Sequence, residues 1–369
     1  MKIATLSPTN YCNFDCSYCG SKKDNCAKSI SLSEAKKFLN YCKKNKVRIL
    51  HITGGGEPLL VFDKLLNIMH TAHKKGIHTH LNTNSSVLSD VNMAEYLIKL
   101  KSAGLKRITI SIDQDHLKFI KYGLLIKIIK CSLDNNIRVW LKVINRKETK
   151  KKNYNLIKKI AKNLNGKLFG FSYKDRSQFF IKTRKDLIYV RFSSFAKTDA
   201  TTPKMEKELV PLPIEKIVFS PCQEFRVTMD STGYILPCCS FYSANNPKLY
   251  AIGDSKSLQN KKLNINNLLR GILFEKFGFV KLYLSIARNG KLKEELFKES
   301  FYDKCDFCFW IQSHKNEINK LSKPTTLEII KFVVPKIGFY LENFIDNSVK
   351  NCINISATYI ERIFYKFNR

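Results

Sequence analysis

Cys12, Cys16 and Cys19 fall within eight residues, in the run Cys12-Asn13-Phe14-Asp15-Cys16-Ser17-Tyr18-Cys19. Thiolates are soft ligands that suit iron–sulfur clusters. The common cluster takes four thiolates, and this loop supplies three. Its fourth iron is then left open for a ligand that the protein does not provide. A zinc knuckle is the competing chemistry, with Cys26 as the nearby fourth ligand. A second run, Thr53-Gly54-Gly55-Gly56-Glu57-Pro58, comes after the next apolar stretch. Three glycines let a backbone approach a ligand closely, and Glu57 adds an acceptor; taken alone, the triplet is a tight turn.

More cysteines return late in the chain: Cys222, Cys238, Cys239, Cys305 and Cys308. Residues 226–237 read as a β-hairpin turning through Asp230-Ser231-Thr232-Gly233, which brings Cys222 and Cys238 together at its base. Cys305 and Cys308 add a pair at knuckle spacing. Four thiolates make a closed site, and by spacing zinc suits it as well as an iron–sulfur cluster does. Cys239 is surplus to that set, as an alternate ligand or a bystander. Cys26, Cys42, Cys131 and Cys352 have no partner spacing and read as small buried hydrophobes.

The elements that must hold these residues alternate. Residues 3–6 form a short apolar strand that delivers the cysteine loop. Ser31 and Glu34 make a capping box for a helix to about residue 44, with Leu32, Ala35, Phe38, Leu39 and Cys42 as its apolar stripe. Strands are expected at 47–52, 77–84, 107–113, 137–143 and 167–172. Helices are expected at 59–75, 91–103 and near 153–163. Such repeats match a parallel α/β barrel fragment, whose chemistry lies at the C-terminal ends of its strands. Ser111 and Asp113 sit at such an end, Asp113 as a base or as a cap on the next helix. His51, His78 and His80 read as satisfied core or edge residues.

The chain has 369 residues, 44% of them hydrophobic, enough for one large domain or two ordinary ones. No apolar leader precedes Cys12 and no stretch is long enough to span a bilayer, so a reducing cytoplasm is the expected location. The formal net charge is +33, but the lysines are spread along the chain, apart from a short cluster at 146–152. Nucleic acid is therefore not the favoured partner, although an RNA substrate stays an alternative. Residues 201–213 have linker composition. The basic, amphipathic stretch at 353–367 reads as helix packing on the barrel, with peripheral membrane contact as the other reading.

The loop Cys12-x3-Cys16-x-Tyr18-Cys19, placed one strand before Gly-Gly-Glu-Pro, resembles the radical SAM superfamily. The resemblance implies a [4Fe-4S] cluster on Cys12, Cys16 and Cys19, with S-adenosylmethionine (SAM) on the open iron. It implies Tyr18 near the adenine and Gly55, Gly56 and Glu57 around the SAM amino group. Asn84 would touch the ligand or cap the next turn, and Ser111 would contact its ribose or carboxylate. Relatives often carry Thr-Asn-Gly where this chain has Thr83-Asn84-Ser85. The late cysteines resemble the auxiliary-cluster extension called SPASM, and better its single-cluster form, twitch. By that resemblance Cys222, Cys238, Cys305 and Cys308 hold an auxiliary [4Fe-4S] cluster.

The expected fold is α/β: an incomplete parallel (β/α)6 TIM-like barrel over 1–178 and a linker over 179–220. A small β-hairpin and helical cluster domain comes next over 221–318, then an amphipathic helical tail over 319–369. The expected activity is reductive cleavage of SAM to a 5′-deoxyadenosyl radical that takes hydrogen from a peptide or small molecule. Oxidation would be assisted by the second cluster, and an electron donor such as flavodoxin or ferredoxin would feed the first. The alternatives are an RNA-modifying enzyme of the same superfamily and a non-catalytic metal-binding interaction protein.

Overall fold

The computed structural model describes residues 2–19, 28–146, 148–173, 176–194, 214, 227–236, 251–258 and 278–298, with scattered positions between 307 and 321. The remaining positions, including Cys26, Cys222, Cys238, Cys239, Cys305, Cys308 and Cys352, the linker at 201–213 and the tail, lie outside the described residues.

The chain alternates strand and helix from its start: β1 (Lys2–Leu6), α1 (Leu32–Lys44), β2 (Val47–Ile52), α2 (Phe62–Lys74), β3 (His78–Thr83), α3 (Met93–Ser102), β4 (Leu105–Ser111), α4 (Tyr122–Asp134), β5 (Arg138–Asn145) and α5 (Lys150–Asn163). Three further strands come after, β6 (Lys167–Tyr173), β7 (Arg176–Lys182) and β8 (Leu187–Ser194). Local chemistry explains the joints. Ser31 Oγ accepts from the Glu34 amide at 3.2 Å, and Glu34 Oε2 accepts from the Ser31 amide at 3.1 Å, so the capping box forms. Ala35, Phe38, Leu39 and Cys42 of α1 are buried; Leu32, in the helix's first position, stays 38% exposed and leaves the expected stripe.

Of the strands β1 to β8, six run parallel, in the order β1-β2-β3-β4-β5-β8, and the sheet stays open rather than closing into a barrel. The sixth parallel strand is not the one expected at 167–172. That segment is β6, the last strand of the sheet, and it pairs antiparallel with β7, which pairs antiparallel with β8. The reason is burial. A strand beside β5 needs an apolar row toward the helices, and β8 supplies buried Ile188, Val190 and Phe192. β6 instead carries exposed Lys167 and Phe169, which suits an edge. β7 and β8 thus occupy 176–194, most of which was expected to belong to a linker over 179–220.

The expected hairpin is present as β9 (Thr228–Met229) and β10 (Tyr234–Leu236). Asp230 Oδ1 accepts from the amides of Thr232 and Tyr234, both at 2.9 Å, and sets the turn. The hairpin is welded to the barrel sheet. β9 pairs parallel with β1, and the amides of Thr5 and Ser7 donate to Val227 and Met229 carbonyls at 3.0 and 2.9 Å. It therefore braces β1 just before the cysteine loop. A short strand β11 (Gly253–Asp254) pairs with β10. Among the described residues no helix is long and apolar enough to cross a membrane.

Gly233 closes the hairpin at φ +83°, and a Cβ there would meet Glu34 Oε1 at 2.5 Å. Gly233→Ala is expected to destabilise the protein by about 1–2 kcal/mol, from the left-handed backbone and the clash together. Urea unfolding of the two proteins measures it, and unchanged stability would remove the hairpin's tight docking on α1.

Candidate active site

The cysteine loop rises from the C-terminal end of β1, the edge where a parallel barrel puts its chemistry. Backbone contact sets its path. The amide of Thr53 donates to Leu6 O at 3.0 Å and that of Glu57 to Tyr11 O at 2.8 Å. A Cβ on Gly56 would lie 2.2 Å from Tyr11 O, and one on Gly54, at φ +142°, would lie 2.3 Å from Ser7 Oγ. These two glycines are needed because the segment before Cys12 lies directly on them. Gly55 sits half-buried between them.

Glu57 does not stand at the mouth as an open acceptor. It is 2% exposed, and its carboxylate accepts from the Leu59 amide at 3.0 Å, Thr83 Oγ1 at 2.6 Å and the Asn84 amide at 2.7 Å. Burial raises its pKa, against the pull of those hydrogen bonds. Its structural effect is to tie the end of β3 to the glycine run. Asn84 is then aimed at the loop, its Nδ2 3.7 Å from Cys12 Sγ and 3.3 Å from Asn13 Oδ1, while its Oδ1 accepts from the Ser86 amide at 2.9 Å. It both caps the adjoining turn and faces the thiol.

The turn after β4 grips the loop from the other side. Tyr18 Oη donates to Asp113 Oδ2 at 2.7 Å, and His116 Nδ1 lies 2.9 Å from Asp113 Oδ1. His116 Nε2 lies 3.9 Å from Cys16 Sγ, and Ser17 Oγ donates to Asp115 Oδ2 at 3.3 Å. Arg146, from the end of β5, reaches the same Asp115 oxygen at 3.0 Å. Asp113 also accepts from the amides of Asp115 and His116, so it is a cap and a loop anchor at once. Burial alone would raise its pKa; the His116 and Tyr18 contacts outweigh that and hold it below the usual carboxylate range. Burial, reinforced by Asp113, pushes the Tyr18 phenol up. Ser111 ends β4 half-buried, in register with Lys142 of β5. Neither Asp115 nor His116 was expected from the sequence. The one local signal was the polar run Asp113-Gln114-Asp115-His116 at the end of a strand.

The residues present fit an iron–sulfur cluster. Cys12, Cys16 and Cys19 are half-buried to exposed on one short loop, and none of them is in a disulfide. Burial, then Cys19, Asp113 and Cys12, pushes the Cys16 thiol up to about 12, so a bare thiolate is disfavoured and bound cationic iron would offset that cost. Among the described residues no three His, Cys, Asp or Glu side chains converge on a single-ion site. A cluster takes one thiolate per iron and so spreads its ligands. Cys42 is fully buried in the core, whereas Cys131 is half-buried, with Asn135 Nδ2 3.7 Å from its sulfur. His78 is exposed, and His51 and His80 contact each other on the inner face of the sheet.

Comparison with known proteins agrees with this geometry. Residues 6–171 match the Radical SAM superfamily. A GTP 3′,8-cyclase of Clostridium botulinum (strain Hall) is 26% identical over 290 residues, covering 71% of this chain and 83% of that protein. A GTP 3′,8-cyclase of Campylobacter lari is 37% identical over 116 residues, 29% of this chain and 33% of that one. Among solved structures, native anSMEcpe with bound AdoMet and Cp18Cys peptide superposes with a TM-score of 0.52 at 12% identity, covering 86% of this chain and 97% of that one. At that identity the likeness is one of fold.

Ser85 comes directly after Asn84 at φ +63°, is fully buried, and its Oγ makes no hydrogen bond among the described residues. The backbone there takes the left-handed form that glycine adopts without strain. Ser85→Gly is expected to stabilise the protein by about 1 kcal/mol, by removing that strain and an unsatisfied hydroxyl. A rise in the urea midpoint with an unchanged slope checks it; a fall would show that the hydroxyl has a partner.

Proposed function

We propose that this chain, whose residues 6–171 match the Radical SAM superfamily, is an enzyme that oxidises a peptide or small molecule through a SAM-derived radical. The observation that carries the reading is the three-thiol loop held at the C-terminal edge between Asn84 and the Asp113–His116 turn. Cys12, Cys16 and Cys19 would hold the [4Fe-4S] cluster. With SAM bound, the cluster, once reduced by an external one-electron donor, would supply the electron that cleaves SAM to methionine and a 5′-deoxyadenosyl radical. The chain's own residues orient and enclose. Glu57 and the glycine run keep Asn84 and the loop in register, and Asp113 fixes Tyr18 and His116 behind the loop. Among the described residues helices pack on one face of the open sheet, and the other face is proposed to receive substrate.

Cys222, Cys238, Cys305 and Cys308 are proposed to hold an auxiliary [4Fe-4S] cluster that accepts the electron a substrate radical must lose. A flavodoxin or ferredoxin is the proposed reductant. The C. botulinum and C. lari relatives, named as cyclases of GTP, favour a small-molecule substrate.

Iron and sulfide are to be counted after anaerobic reconstitution, in the intact chain and with Cys12, Cys16 and Cys19 replaced by Ala. About eight irons falling to about four is the expected result. About four falling to none would sink the auxiliary cluster and with it the oxidative outcome. The intact protein, reduced with dithionite, is expected to release methionine and 5′-deoxyadenosine; the triple variant is expected to release neither.

A further inference from the structure

His116 lies in the turn after β4, and its buried ring packs between that turn and the cysteine loop. Its Nδ1 is 2.9 Å from Asp113 Oδ1 and 3.1 Å from Tyr18 Oη, and its backbone amide donates to the same Asp113 oxygen at 3.1 Å. The ring also packs 5.9 Å from that of Phe14, which stacks on Phe119 at 4.6 Å. Asp113, which orients the ring, is itself fixed from three segments. Tyr18 Oη donates to it at 2.7 Å, the Asp115 amide at 3.0 Å and the Ile144 amide at 3.4 Å. Held this way, His116 Nε2 comes to 3.9 Å from Cys16 Sγ, within reach of a hydrogen bond to sulfur.

Groups that hydrogen-bond the ligands of a metal centre hold those ligands and tune the centre. A sulfur bound to iron has no proton and can only accept. A ring with a carboxylate at Nδ1 and such a sulfur at Nε2 donates from both nitrogens, and Asp113 is its counter-charge. A hydrogen bond to a cluster sulfur draws electron density away from the irons. It favours the reduced cluster, the more negative of the two states, and so raises the reduction potential. Cys12 has a neutral donor nearby, Asn84 Nδ2 at 3.7 Å. The charge-paired imidazole at Cys16 is the stronger donor of the two.

We propose that His116, oriented by Asp113, is the hydrogen-bond donor to the Cys16 sulfur of the loaded cluster, and that it raises the potential at which this cluster accepts an electron. The inference rests on the reading of Cys12, Cys16 and Cys19 as ligands of a [4Fe-4S] cluster. It makes His116 a positioning and tuning residue that acts on the chemistry through Cys16.

The full-length protein, with clusters reconstituted and SAM present, is to be titrated with dithionite in the presence of redox mediators. The electron paramagnetic resonance signal that changes when SAM is added reports on the cluster of the cysteine loop. His116→Leu is expected to lower its midpoint by about 59 mV or more, a tenfold loss in the ratio of reduced to oxidised cluster at a fixed potential. His116→Gln keeps an N–H donor on a side chain of similar size and is expected to recover most of that shift. Loss of this cluster's iron from His116→Leu with retention in His116→Gln would also support the donor role. Equal midpoints in all three proteins, a raised midpoint in His116→Leu, a Gln variant no different from Leu, or loss of the iron from both variants would overturn it. The iron count of the wild-type protein tests the cluster reading separately: no iron lost on replacing Cys12, Cys16 and Cys19 by Ala would remove that reading, and the inference with it.

Discussion

The site depends on a contact too close for any side chain. Gly56 lies against Tyr11 O so tightly that a Cβ would come within 2.2 Å of it. That approach lets the amide of Glu57 donate to the same carbonyl and lets the strand pair β1–β2 continue into the loop. Without it the segment before Cys12 would lift away, and the three thiols would lose the edge on which they stand. The hairpin β9–β10 secures the other side of β1, so the strand that delivers the loop is held on both flanks.

Two buried carboxylates then divide the work of aiming side chains. Glu57 spends its oxygens on two amides and one hydroxyl, with no cation in hydrogen-bond contact among the described residues, and burial wins in raising its pKa. Asp113 is buried as well, yet His116 and Tyr18 beside it keep its pKa low. The difference is one of partners rather than depth. Glu57 fixes backbone from two loops; Asp113 fixes the phenol and imidazole that back the cysteine loop. Both are positioning residues whose effect reaches the thiols through others, Asn84 in one case and His116 in the other.

The open sheet presents two different surfaces. Its C-terminal rim carries the loop, while its inner face is lined by His51, His80, Arg107, Trp140 and Tyr189. A closed barrel of this size would fill that space with apolar side chains. Here β8, β7 and β6 extend the sheet outward, and the interior keeps polar residues.

Local spacing made much of this legible. The cysteine loop, the glycine run, the capping box at Ser31 and Glu34 and the hairpin turn at Asp230 each depend on residues a few positions apart, and each is where the sequence placed it. The left-handed turn at Ser85 suits the glycine that the family resemblance implies at this position. What the sequence could not determine were pairings between distant segments. Residues 167–172 are as strand-like as 187–194, and only the apolar row of Ile188, Val190 and Phe192, set against the helix side, decided which lies beside β5. His116 and Asp115 carry no motif; they matter because the turn after β4 packs about 100 residues away in sequence from Cys16 and Ser17. Hydrogen bonds within a turn are set by neighbouring residues, whereas strand order and side-chain convergence are set by which buried surfaces fit, and that is decided only once the whole sheet has assembled.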